Sequence, residues 1–259
     1  RALALRGAAG GADIIGVDID GERARQTQAE IEAAGAKASF ILADLAAADG
    51  WQVVVDALGD RRPTAVIHNA GISGVGLFTR LPLTAQLRVL DLNLRTPLQL
   101  TAALLRRGKL AAPGSVLFVS SLSHFVDYPG AAVYAASKDG LAAFGVSLSA
   151  ALPAEDHVMV VYPGPTRTAH ARRYSPDNSR ESSRMTPAAL ADDMFRASRR
   201  GRRTHIPGLA NKLFALLGRV APGVTAVMLR RQLLDRLAGD VLLPPAGNSS
   251  TDGEGAPYV

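Results

Sequence analysis

Short runs rich in Val, Ile and Leu alternate along this chain with longer segments of helical character, and that alternation constrains the fold more than any single motif. The apolar runs fall at 12–18, 38–44, 64–68, 116–119 and 158–162, with a short last one at 204–208. Between them, 22–34, 51–58, 85–107, 134–151 and 187–199 read as helices. Gly35 closes the first of these, and Thr186-Pro187 opens the last with a capping hydroxyl and a proline in the first turn. Strands that alternate with helices predict an α/β fold, a doubly wound parallel sheet with helices on both faces. A length of 259 residues with 47% apolar content suits one such domain with one core.

Composition narrows the partners. The net charge is +6, and Arg199, Arg200, Arg202 and Arg203 cluster. Only 5% of residues are aromatic and none alternate with that basic run, so nucleic acid is not an expected partner. A basic surface instead attracts anionic cofactors and acidic lipid head groups. Cysteine is absent, which removes disulfide and thiolate chemistry and fits a reducing compartment, the cytoplasm. No signal peptide and no apolar run of membrane-spanning length is found. The five histidines show no metal-ligand spacing, so no metal site is expected.

The chemistry concentrates in residues 119–138. Tyr134 and Lys138 are four apart at the start of an Ala-rich helix, so both project from one face. A phenol has a reference pKa of about 10, and a nearby ammonium favours its phenolate. Ser121, at the end of the strand before it, is placed to hold a carbonyl oxygen beside that phenol. Together the three suit proton transfer to or from a substrate oxygen. His124, Phe125 and Tyr128 follow Ser121 and read equally as a substrate-side wall or a plain loop.

Ser121 lies thirteen positions before Tyr134, Asn69-Ala70-Gly71 closes an earlier strand, and Pro163-Gly164 closes a later one. With these motifs combined, residues 1 to about 210 resemble the short-chain dehydrogenase/reductase family. The resemblance implies a Rossmann-type oxidoreductase interconverting a secondary alcohol and a ketone or aldehyde with a nicotinamide cofactor. By that likeness Tyr134 is the general acid/base, Lys138 lowers its pKa and holds the nicotinamide ribose, Ser121 orients the substrate oxygen, and Asn93 completes a proton path. Asp44 and Leu45 would flank the adenine, and Asn69, Ala70 and Gly71 would let the backbone approach the cofactor. Pro163, Gly164, Thr166 and Thr168 would meet the nicotinamide carboxamide and the phosphates. Asp18, ending the second strand of the unit, would take the adenine-ribose hydroxyls and repel a 2′-phosphate, which favours NAD over NADP. Arg23 and Arg25 nearby pull the other way.

Two departures stand out. The family's turn, Thr-Gly-x-x-x-Gly-x-Gly, occurs nowhere in this sequence, and residue 1 already lies in the helix that should follow it. The sequence therefore reads as truncated by a strand and a turn, on the order of fifteen residues, which would leave a gap in the middle of the sheet. The ending also differs, with two basic, apolar helices at 209–217 and 224–237 in a C-terminal extension spanning 209–240. Their apolar side chains are expected to pack on the core or the cleft rim in preference to a membrane surface, and they point to a hydrophobic substrate. Residues 1–208 would form the catalytic domain, with the polar stretch 169–185 as a substrate lid, and 241–259 a disordered tail. The family likeness implies a homodimer or homotetramer through the helices carrying Asn93 and Tyr134. A non-catalytic cofactor-binding protein, or a lyase or epimerase using the same Tyr, are the alternative readings on this fold.

Overall fold

The computed structural model describes residues 1–237 and 239–245. After α1 (Ala2–Ala8), β1 (Ile14–Asp18), α2 (Gly21–Ala33) and β2 (Ala38–Leu42) form a parallel βαβ unit. Next come α3 (Gly50–Leu58), β3 (Ala65–His68), α4 (Leu83–Leu90), α5 (Thr96–Arg106) and β4 (Ser115–Val119). Then follow α6 (Ala132–Ala151), β5 (His157–Val161), α7 (Ala169–Arg173), α8 (Pro187–Arg199) and β6 (Thr204–His205). The last α-helices among the described residues are α9 (Leu209–Val220) and α10 (Pro222–Leu229).

Among the described residues the named strands all pair in parallel, in two sheets ordered β1-β2 and β3-β4-β5-β6. The edges of β1 and β3 are not paired with each other, so the sheet is divided where the absence of the Gly-rich turn and its strand predicts a gap. One core nevertheless spans the division. Val54, Val55 and Leu58 of α3 and Leu100 and Leu104 of α5 pack with Ile41 of β2, Ile15 of β1 and Val66 of β3.

The β4 and β5 runs are continuously apolar because helices cover both faces. Val116, Phe118, Val158 and Val160 pack on Leu141 and Ala142 of α6, while Leu117, Met159 and Val161 pack on Met194 and Ala197 of α8. Gly145 lets α6 come this close: a Cβ there would lie 2.5 Å from Val160 and 2.8 Å from the Phe118 ring.

The 85–107 helical run holds one irregularity, a π-helical turn at Asp91–Arg95 between α4 and α5. Pro97 has no N–H, so the α-type bond to the Asn93 carbonyl cannot form and the register slips. The C-terminal helices begin and end differently from expectation. The first runs on to Val220, and the second starts at Pro222, where proline is pre-set for a first turn, then passes into a π turn at Arg230–Leu234. The two are bent by 115°, and among the described residues no single helix is long and apolar enough to cross a membrane. The tail expectation fails at its start: Leu242 and Val75 exchange backbone hydrogen bonds at 3.0 and 2.7 Å. Residues 246–259, the rest of that expected tail, lie outside the described residues.

Candidate active site

A cleft of about 1070 Å³ opens where β1, β3, β4 and β5 end, the usual ligand position in an open parallel sheet. Its floor is the end of β4. The Ser120 hydroxyl donates to the Lys138 carbonyl at 2.8 Å, and Lys138 Nζ donates to the Val119 carbonyl at 2.9 Å. These two bonds pin the first turns of α6 to the strand end and present Ser121, Tyr134 and Lys138 to the cleft together.

Lys138 is 4% exposed, and burial lowers its ammonium to about 8. Its Nζ lies 5.9 Å from the centre of the Tyr134 ring. Burial pushes the Tyr134 phenol up, and a hydrogen bond with the Ser121 hydroxyl acts in the opposite sense. For this phenol burial is the larger influence, and it acts against the lowering expected from Lys138. The Ser121 Oγ also accepts from the Ser123 N–H at 3.2 Å, which fixes its direction at the start of a short 3₁₀ turn.

Asn93 is fully buried and every polar atom of its side chain is engaged. Its Oδ1 accepts from the Ile72 N–H at 3.0 Å, while Nδ2 donates to the Ile72 carbonyl at 2.9 Å and to Ser137 Oγ at 3.0 Å. Ser137 in turn donates to the Tyr134 carbonyl at 2.7 Å. A Cβ on Gly71 would lie 3.1 Å from Asn93 Oδ1 and 3.3 Å from Lys138 Nζ, so any side chain at this turn would crowd both residues.

Asp18, Asn69, Ala70, Gly71, Pro163, Gly164, Thr166 and Thr168 all line the same cleft. Asp18 does not cap α2; Asp20 does, accepting from the Glu22 and Arg23 N–H groups at 3.0 and 3.1 Å. Asp18 Oδ1 accepts instead from the Asp20 N–H at 2.9 Å and from Arg23 Nη2 at 3.1 Å. Thr166 bridges to Met185, and Thr168 caps α7 by accepting from the Ala171 N–H at 3.1 Å. The cleft lining thus includes a carboxylate at the end of β1, and Lys138, a small-residue turn after β3 and two threonines after β5. A Gly-rich pyrophosphate turn is not among the residues of this sequence.

The match that decides the family covers residues 1–179. The chain belongs to the short chain dehydrogenase family. A curated family relative, cyclopentanol dehydrogenase of Comamonas sp. (strain NCIMB 9872), is 31% identical over 157 residues, which are 60% of this chain and 63% of that protein. The chain thus spans less than two thirds of that relative's length. Among solved structures, a 7beta-hydroxysteroid dehydrogenase superposes with a TM-score of 0.78 at 19% identity, over 89% of this chain and 91% of the other. A short-chain dehydrogenase from Sphingobium yanoikuyae in complex with NADPH does so at 0.73 and 24% identity, over 88% and 89%.

Several family-based expectations fall elsewhere in the structure. Asp44 and Leu45 do not line the cleft. Asp44 is held by Arg88 at 2.8 Å and accepts from the Ala46 N–H at 2.9 Å, while Leu45 packs in the core and its carbonyl accepts from Thr96 Oγ1. His124 and Phe125 also turn away; His124 stacks on Tyr162, Phe125 meets the same ring edge-on, and His124 Nδ1 pairs with Asp139 at 3.1 Å. Of that loop Tyr128 reaches the cleft, with its ring centre 6.2 Å from that of Tyr134. The stretch read as a lid adds what the sequence did not announce. His170 lies 6.4 Å from Tyr134, ring centre to ring centre, and Tyr174 lies 4.8 Å from His170. Burial, with Lys138 and Arg173 adding to it, lowers His170 to about 4, so it is neutral near pH 7. No motif marks either residue. Ser137 was findable, since a serine three positions after Tyr134 on a helix can bond back to its carbonyl.

Proposed function

We propose that this family member interconverts a secondary alcohol and a ketone with a nicotinamide cofactor. The observation that carries the reading is the convergence of Ser121, Tyr134 and Lys138 on one cleft with Asn69, Gly71, Thr166 and Thr168. Asp18, Lys138 and the two threonines would hold the cofactor, which when bound supplies or accepts the hydride. Tyr134 gives its phenolic proton to the forming alkoxide in reduction, and its phenolate takes the alcohol proton in oxidation. The Ser121 hydroxyl donates to the substrate oxygen and steadies the charge that develops there. Lys138 holds a ribose hydroxyl and supplies positive charge behind the phenol. Asn93 acts as a positioning residue, tying Ile72 to the helix that carries Tyr134. Because burial raises the phenol, oxidation should gain with rising pH and reduction should prevail near neutrality.

The Asp18 carboxylate favours NAD, and Arg23 at 3.1 Å from it is the group through which NADP would be accepted. The NADPH held by the Sphingobium protein keeps the second cofactor in contention. A cyclic secondary alcohol is the proposed substrate class, in keeping with the names of the cyclopentanol and hydroxysteroid relatives. The exposed Leu87 of α4 and Val146 of α6 support self-association through those helices. The stretch 169–185 is proposed as the wall that selects substrate, through His170 and Tyr174. Replacing Tyr134 by Phe should abolish turnover of cyclic alcohols and ketones, followed by reduced-cofactor absorbance, with cofactor binding intact by fluorescence. Near-normal turnover in the purified variant would refute the assignment and leave a binding protein on the same fold.

A further inference from the structure

The face of α9 that points away from the protein is apolar. Leu209, Leu213, Leu216 and Val220 follow a helical stripe, and Val224 and Val227 of α10 are exposed just beyond its end; these six are 53% to 75% exposed. At 3.6 residues per turn Ala215 and Gly218 fall on the opposite side, and both are buried. Gly218 sits directly against the Phe125 carbonyl. The helix is therefore docked by its small residues and offers its large ones to solvent, the reverse of a surface helix in a freely soluble body.

Charge says what would cover this stripe. Residues 209–235 include Lys212, Arg219, Arg230 and Arg231 against one carboxylate, Asp235, which pairs with Arg230 at 3.6 Å, so the balance stays positive. Lys212 and Arg219 are seven apart and flank one edge of the stripe. A second copy meeting this face across a two-fold axis would bring like charges together. A layer that is apolar within and anionic at its surface satisfies both the leucines and the cations. α9 alone does not span that layer, since 12 residues of helix reach about 18 Å against a hydrocarbon core of about 30 Å, and α10 leaves its axis at 115°.

We propose that α9 and α10 form a peripheral docking surface for an anionic phospholipid bilayer. The inference stands apart from the catalytic reading, although the two meet in space. Phe214 of α9 and Leu229 of α10 line the cleft from its other side, so docking sets one wall of the cleft at the lipid boundary. An apolar alcohol or ketone dissolved in the bilayer would then reach the site without crossing bulk water.

The test is co-sedimentation of the full chain with vesicles of phosphatidylcholine alone and of phosphatidylcholine mixed with phosphatidylglycerol. The chain should pellet with the mixed vesicles, and added salt should weaken binding. The double variant Leu213→Glu/Leu216→Glu should lower the partition coefficient by about tenfold or more per leucine. Its melting temperature should not change, because both positions are exposed. Lys212→Gln/Arg231→Gln should weaken binding to the mixed vesicles and leave that to phosphatidylcholine as it was, with no apolar contact altered. Wild-type protein left in the supernatant with both vesicle types overturns the proposal, as does pelleting of the leucine variant equal to wild type. Sedimentation equilibrium showing a dimer that the leucine variant dissolves would assign the face to a second copy and overturn it equally.

Discussion

Lys138 is held at an energetic disadvantage, and that disadvantage is measurable without any substrate. Burial lowers its ammonium from 10.5 to about 8, which at about 1.4 kcal/mol per pKa unit is a penalty on the order of 3 kcal/mol for keeping it charged in the fold. The bond from Nζ to the Val119 carbonyl returns about 1.5–3 kcal/mol. Lys138→Met keeps most of the volume, removes the charge and the bond, and should leave stability at pH 7 within about 2 kcal/mol of wild type while turnover is lost. The pH dependence separates the terms. Between pH 8 and 10.5 the unfolded chain holds the lysine proton and the folded chain has released it. The unfolded state therefore binds more protons there, and stability rises with pH. The penalty is fully present below pH 8 and relieved above it. Urea unfolding of both proteins from pH 7 to 10 should show wild type gaining on the variant by up to about 1.4 kcal/mol per pH unit above pH 8. Burial also raises Tyr134 and Tyr128, which lowers stability above pH 10, but this affects both proteins alike. A difference that stays constant across this range would refute the reasoning.

The other perturbations are simpler. Asp18→Ala should shift the ratio of kcat/KM values toward NADP, since it removes one of the two carboxylates that hold Arg23, and the one that on the proposed reading would take the ribose; an unchanged ratio would make Asp18 only a partner of the Asp20 N–H and of Arg23. Gly145→Ala should destabilise by about 1–3 kcal/mol through overpacking on Val160 and Phe118, which outweighs the helix-propensity gain of about 1 kcal/mol, and an urea midpoint at or above wild type would contradict this. His68 and His170 are both lowered to about 4 by burial, so each remains neutral in the fold while its unfolded counterpart takes a proton below pH 6.5. Stability should thus fall between pH 6.5 and 4, by up to about 1.4 kcal/mol per pH unit for each histidine, and His68→Gln should flatten that fall.

Much of this was legible in the linear order of residues. Strands buried on both faces must read as unbroken apolar runs, so β4 and β5 were visible with no partner known. The Tyr134 and Lys138 spacing and the thirteen-residue offset of Ser121 are local to one strand, one loop and one helix, and local geometry carried them to the same cleft. The lack of a Gly-rich turn foretold the break between β1 and β3.

What the chain order could not decide was set by groups far apart in sequence. How far Lys138 lowers the Tyr134 phenol depends on how much water burial removes from each, and the packing that buries both comes from elements distant in sequence. Asp44 and Leu45 have the right residue types, yet Arg88 and Thr96 from a distant helical run claim their polar atoms. His170 and Tyr174 enter the site because the segment after Thr168 folds back over Tyr134, a path no short motif encodes. The outward leucines of α9 have the same cause. Periodicity reports that a helix is amphipathic, but which of its faces meets the protein is decided by the neighbour it packs against, here the Phe125 turn that only Gly218 is small enough to meet.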